Sequence, residues 1–189
     1  MVTRSPERSI ARRKQVSPTP DLRASILAAW RTSNRITIEF VEQLPPELMS
    51  AVVPGIQTRP IRAIAAHLHN SRCWWIKMLG AEHGIAVPLR VDHRTVNRRQ
   101  LVAALKRSGM GIEAVLQFAI AAGGTLPRTK AYVWRNLPLD VGHIMSYFIA
   151  HEGHHRGQIV MAARQMNRRL PSAVTNGLWW WAGRRILRA

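Results

Sequence analysis

The stretch YFIAHEGHHRGQIVMAARQMNRRLP, residues 147–171, decides how the rest of the chain is read. It forms most of a long predicted helix from about Leu139 to Arg169, stopped by Pro171. His151 and His155 are four residues apart, so on a helix they lie about 40° apart on one face and can bind a single ion. The same residues satisfy H-E-x-x-H through His151, Glu152, Gly153, His154 and His155, the pattern in which two histidines bind zinc and the glutamate acts as base in metalloproteases. Such proteases take their third ligand from downstream. Here no histidine, aspartate or glutamate follows His155, so a third protein ligand must come from upstream and the protease meaning is lost. Gly153 inside the motif also weakens the helix slightly.

The upstream histidines are His67, His69, His83, His93 and His143. His67 is three residues after Ile64 and adjoins Leu68 and Ser71, at the edge of an apolar stripe from which it can face a bundle interior. His69 groups with Arg62, Cys73 and Lys77 and is expected on a solvated outer side. His83 and His93 flank a predicted loop, Gly84 to Asp92, and His143 lies on the same helix as His151. None of these brings in a second helix as His67 does.

Helical spacing recurs elsewhere. From Asp21, a plausible N-cap, Leu22, Ile26, Ala29, Trp30, Ser33, Ile36, Phe40 and Leu44 mark a first helix that Pro45 and Pro46 stop. A second runs from near Thr58 and Pro60 to Gly80, with Ile61, Ile64, Leu68, Trp75 and Leu79 on one stripe. A third opens at Thr95 and ends at Gly123 and Gly124. Leu126 to Asp140 holds two prolines around AYVWRNL and reads equally as extended chain or packed loop. A last short helix is expected over Ser172 to Ile186, carrying Trp179, Trp180 and Trp181. Four long helices with little strand signal predict an all-α antiparallel four-helix bundle, whose core is a standard place for metal sites.

Composition bounds the rest. The 189 residues suit one domain plus tails, and 47% hydrophobic content supports a sizeable core. No apolar run approaches the roughly 18 residues that span a bilayer. Residues 1–20, rich in Arg, Lys, Ser and Pro, are expected to form a disordered basic arm ahead of a domain over 21–189. The arm lacks the apolar stretch of a secretory signal, so a cytoplasmic location is expected. A single cysteine, Cys73, excludes an internal disulfide framework and a cysteine-based zinc cage. Net charge is +18, from 28 Lys and Arg against 10 Asp and Glu, concentrated over Arg4–Lys14, Arg90–Arg107 and Arg164–Arg188. That charge permits nonspecific nucleic-acid contact, although no zinc-finger cysteines or RNA-recognition motif accompany it and solvated faces are the default.

Two separated stretches, IAAHLHNSRCWWIKMLG at 64–80 and the one quoted first, resemble the DinB/YfiT-like superfamily of four-helix-bundle, metal-dependent proteins. The resemblance covers about residues 21 to 186. It implies that a histidine of the second helix joins the H-x3-H pair of the fourth, with H-R-G-Q closing the motif. Carried over, the metal ligands are His67, His151 and His155. It further implies a small-molecule substrate, a homodimer, and either hydrolase-like chemistry or transfer of a low-molecular-weight thiol, as in relatives that use bacillithiol or mycothiol. The basic arm and the Trp179–Trp181 run match no family role.

Three imidazoles leave at least one coordination position open, the arrangement of catalytic rather than closed sites. Zinc is the first choice on availability, and nickel, iron and copper are suited alike. Glu152 is offset by about 100° from His151, which points it toward a surface arginine; turned inward, it would serve as a general base or orient an imidazole. Gln158 shares the stripe of His151 and His155 and is placed to hydrogen-bond near the site, and these two are the candidate catalytic side chains. His154 is expected to face solvent, Arg156 to bridge to a neighbouring helix or a bound anion, and Cys73 to act as a small buried apolar group. Trp74, Trp75 and Trp179–Trp181 are assigned to the core by default, with at least one of the three consecutive rings near the surface.

Overall fold

The computed structural model describes residues 21–52, 55, 60–134 and 136–182, so the predicted N-terminal arm lies outside the described residues. It is all-α: α1 (Leu22–Glu42), the single turn α2 (Pro46–Met49), α3 (Ile61–Leu79), α4 (Arg98–Ala121), α5 (Val141–Gln165) and the short α6 (Ser172–Gly177). Local chemistry sets the boundaries. The Asp21 carboxylate accepts from the Arg23 amide to cap α1, and Asn97 with Gln100 closes a reciprocal capping box at α4. Asp140 accepts from the His143 amide at the start of α5. Gly123 and Gly124 take φ of 83° and 95° after α4, conformations that only glycine adopts cheaply. α5 ends four residues before the expected Arg169, because the chain turns through Asn167 at φ 55° and Arg168 bonds back to the Ala163 carbonyl.

α1 and α3 each pack against both α4 and α5. Side-chain contacts fix the chain directions. Trp30 bonds the Gly109 carbonyl while Arg98 bonds that of Leu44, so α1 and α4 are antiparallel. Arg72 with Glu152 and Trp75 with Phe148 make α3 and α5 antiparallel as well. In contrast, Ile76 lies beside Gly111, and Val115 beside Gly80, so α3 and α4 run the same way. Trp30 meets Phe148, and Thr37 meets Glu152, which gives α1 and α5 a common direction. The cause is the connection after α3, which returns along that helix: Val91 is tied to Asn70, and the Arg94 carbonyl accepts from Arg62. The described residues of 126–140 form a loop, with an isolated bridge between Thr125 and Asp140.

The core has two apolar halves. One gathers Phe40, Leu44, Ile61, Leu68, Leu101, Leu105 and Ile159. The other gathers Trp30, Trp75, Leu79, Ile112, Leu116, Ile144 and Phe148. Between them, at the level of Thr37, Arg72, Ser108 and Glu152, runs a buried polar layer. The C-terminal expectation needs correction. α6 stops at Gly177, a poor helix former, and the tryptophans follow in turns, with Trp179 80% and Trp181 44% exposed. The tryptophan run therefore lies on the surface rather than in the core. The rest of the helix expected to Ile186 falls outside the described residues. No helix of the described part is long and apolar enough to cross a membrane.

Candidate metal centre

α3 and α5 bring His67, His151 and His155 together, with one ligand atom from each lying within 4.8 Å of the other two. The ring of His67 is 5.3 Å from that of His151 and 4.5 Å from that of His155. The Nε2 atoms of His151 and His155 are 3.1 Å apart. Two nitrogens bound about 2.05 Å from one tetrahedral ion would be about 3.3 Å apart, so the pair already holds nearly the required spacing.

Hydrogen bonds orient the rings. His155 Nδ1 donates to Gln158 Oε1 at 2.7 Å, which turns the lone pair of its Nε2 toward the cluster. The Ser71 hydroxyl lies 3.1 Å from His67 Nε2. Nε2 of His151 is the atom that faces His155, while its Nδ1 is buried without a hydrogen-bond partner on the other side of the ring. Burial, followed by the neighbouring His155, His67 and His154, pushes the His151 pKa down to about 3. It is therefore neutral at physiological pH, the form that binds metal. The donor set of three imidazoles thus fits a divalent transition-metal ion.

The other histidines are not part of the three-ligand group, although the His154 ring lies 5.0 Å from that of His155. His154, His143 and His93 are exposed. His83 stacks on Phe118 with ring centroids 4.5 Å apart. His69 departs from its expected solvated place: it is fully buried, between the Ser108 hydroxyl at 3.0 Å and the Leu89 carbonyl at 2.9 Å. The returning connection covers that side of α3, which helical spacing alone left open to solvent. Cys73 is buried next to it, and burial pushes its thiol up to about 11, so it behaves as a small inert group.

Glu152 turns into the bundle, and its partners are not surface arginines. Oε1 accepts from Arg72 Nε at 2.6 Å and Oε2 from the Thr37 hydroxyl at 2.6 Å, both inside the polar layer. Arg156 donates to the same Thr37 oxygen at 2.5 Å, a hydrogen bond to α1, but its ion pair, at 3.6 Å, is with Glu152 of its own helix and not the expected salt bridge to a neighbouring one. Arg72 also bonds Asn34 Oδ1 and the Leu105 carbonyl, so one network joins all four long helices. Sequence reasoning missed Arg72 and Thr37. The signal was present: Arg72 sits four residues after Leu68 and four before Ile76, and Glu152 sits four after Phe148 and seven before Ile159, each on an apolar stripe. Two opposite charges on two core stripes are a pairing cue.

Fold and site together define a helical bundle carrying a three-histidine cluster able to hold a metal ion. The sequence pattern of the DinB family matches residues 19–185, and the chain belongs to that family. No curated protein matches the sequence.

Proposed function

We propose that the chain is a metal-dependent enzyme acting on a small molecule, with His67, His151 and His155 holding one divalent ion, zinc before nickel or iron. The observation that carries this reading is the convergence of three imidazoles with no carboxylate or thiol in the group, a donor set that leaves coordination positions open. When bound, the ion supplies Lewis acidity that acidifies a water or a low-molecular-weight thiol at an open position. Gln158 holds the His155 tautomer. Both oxygens of Glu152 are committed to Arg72 and Thr37, so its part is to fix α5 against α3 and α1 rather than to take a proton. With that carboxylate committed, thiol chemistry is favoured over hydrolysis, because a thiol ionises far more readily than water and needs less help from a base.

Elemental analysis of the purified chain tests the site: about one ion per chain is expected, and full retention in His67→Ala/His151→Ala/His155→Ala would refute it. The chemistry is tested by adding a low-molecular-weight thiol to cobalt-loaded protein. A sulfur-to-cobalt charge-transfer band supports thiol transfer, and its absence favours hydrolysis.

A further inference from the structure

The histidines stand at one end of a row of aromatic rings. On α5, Tyr147 lies four residues before His151 and eight before His155, on the same stripe. On α3, Trp74 lies seven residues after His67, two turns along the same face. Trp134, from the connection between α4 and α5, spans the two helices, with its ring 5.1 Å from that of Trp74 and 5.2 Å from that of Tyr147. Tyr147 lies 6.2 Å from the His151 ring, and Trp75 only 4.8 Å from it. The row therefore runs without a break from the surface, where Trp74 is 42% exposed, to the metal-holding imidazoles.

Two properties separate this row from ordinary core. Trp134, Tyr147, His67 and His151 are all only partly buried, so ring surface remains open along its length. None of the aromatic side chains carries a charge, although the chain as a whole is strongly basic. Successive rings touch edge to face, at 88° for Trp74 with Trp134 and 69° for Trp134 with Tyr147. A cage for a cation needs ring faces turned to a shared empty centre. Rings already in mutual contact instead present a continuous apolar wall.

We infer that the site takes a small molecule with a metal-binding head and an aromatic body, the head at His67, His151 and His155 and the body against Trp74, Trp134 and Tyr147. This rests on the metal reading above and adds the class of ligand.

Two probes with one chelating head separate the contributions: acetohydroxamate and benzohydroxamate, titrated calorimetrically into zinc-loaded protein. Benzohydroxamate is expected to bind about tenfold or more tightly, from the burial and stacking of one ring. Trp134→Leu should abolish most of that gain and Trp74→Ala part of it, with zinc content and acetohydroxamate affinity unchanged. Trp74 is exposed enough that its replacement leaves folding intact. Equal affinities for the two probes, or an aryl preference that survives both replacements, would overturn the inference while leaving the metal site standing. Failure to hold zinc at all would overturn both.

Discussion

Glu152→Gln keeps the shape of the side chain and its place beside Thr37, but it leaves Arg72 and Arg156 as two cations in the bundle interior with no acid between them. The Arg72 and Glu152 side chains are both 0% exposed and meet at 2.6 Å. Removing one partner of such a pair costs about 3–5 kcal/mol. Arg72→Met is less severe in charge, because Glu152 retains Arg156 at 3.6 Å and the Thr37 hydroxyl. It also loses the bonds to Asn34 and the Leu105 carbonyl, and the guanidinium 5.1 Å from the Trp30 ring. The expected costs are therefore about 3 kcal/mol for Arg72→Met and about 4–5 kcal/mol for Glu152→Gln. The double variant leaves only Arg156 unpaired, on a side chain 8% exposed, and should cost about 2 kcal/mol less than the sum of the single changes. Urea denaturation followed by helical circular dichroism measures all three, and a slope of about 2 kcal/mol per molar makes a loss of 4 kcal/mol a midpoint shift of about 2 M. If Arg72→Met proves the costlier change, or if the two costs simply add, charge balance is not what governs this layer.

Protonation of His151 gives a pH dependence with a definite sign. Its folded pKa of about 3 lies below the 6.5 of an ordinary imidazole, so between these values the unfolded chain binds a proton that the folded chain does not. Stability of the metal-free protein in a chelator should be fully present above pH 6.5 and fall toward pH 3, by a ceiling of about 5 kcal/mol that partial exposure cuts well below that figure. Burial lowers the His69 pKa in the same direction. A urea midpoint indifferent to pH, or a slope unchanged in His151→Leu, would contradict this assignment. Gln158→Leu should weaken metal binding about 10- to 100-fold without loss of helix content, since it frees the His155 ring; equal affinity by competition with a chelating dye would remove its orienting role. Gly109→Ala would place a Cβ 2.4–2.7 Å from the Asn34 side chain that holds Arg72, and should cost about 1–3 kcal/mol despite the better helix former. Gly157→Ala, with nothing within 4 Å of its added Cβ, should instead be neutral or stabilising by up to about 1 kcal/mol, and equal thermal shifts for the two variants would refute the packing difference.

The amino-acid sequence by itself determined the four long helices, their starts at Asp21 and Asn97 within a few residues, and their stops at Pro45, Gly80 and Gly123. It also placed His151 and His155 on one face. These are properties of a chain with a 3.6-residue period and of side chains acting on their own backbone within a turn. The aromatic runs were visible as residues but not as places: Trp74 and Trp75 adjoin in sequence, yet one is exposed and the other is core.

Only the tertiary structure decided which way the helices run, because that depends on the path of residues 80–97 back along α3. The same path buried His69, whose helical position alone predicted solvent. The pairing of Arg72 with Glu152, 80 residues apart, belongs to this level as well. Helical phase says which side chains share a face, but whether that face meets water, another helix or a returning loop is settled by packing between distant segments. A polar group's burial, and so its partner and protonation, follows from that packing.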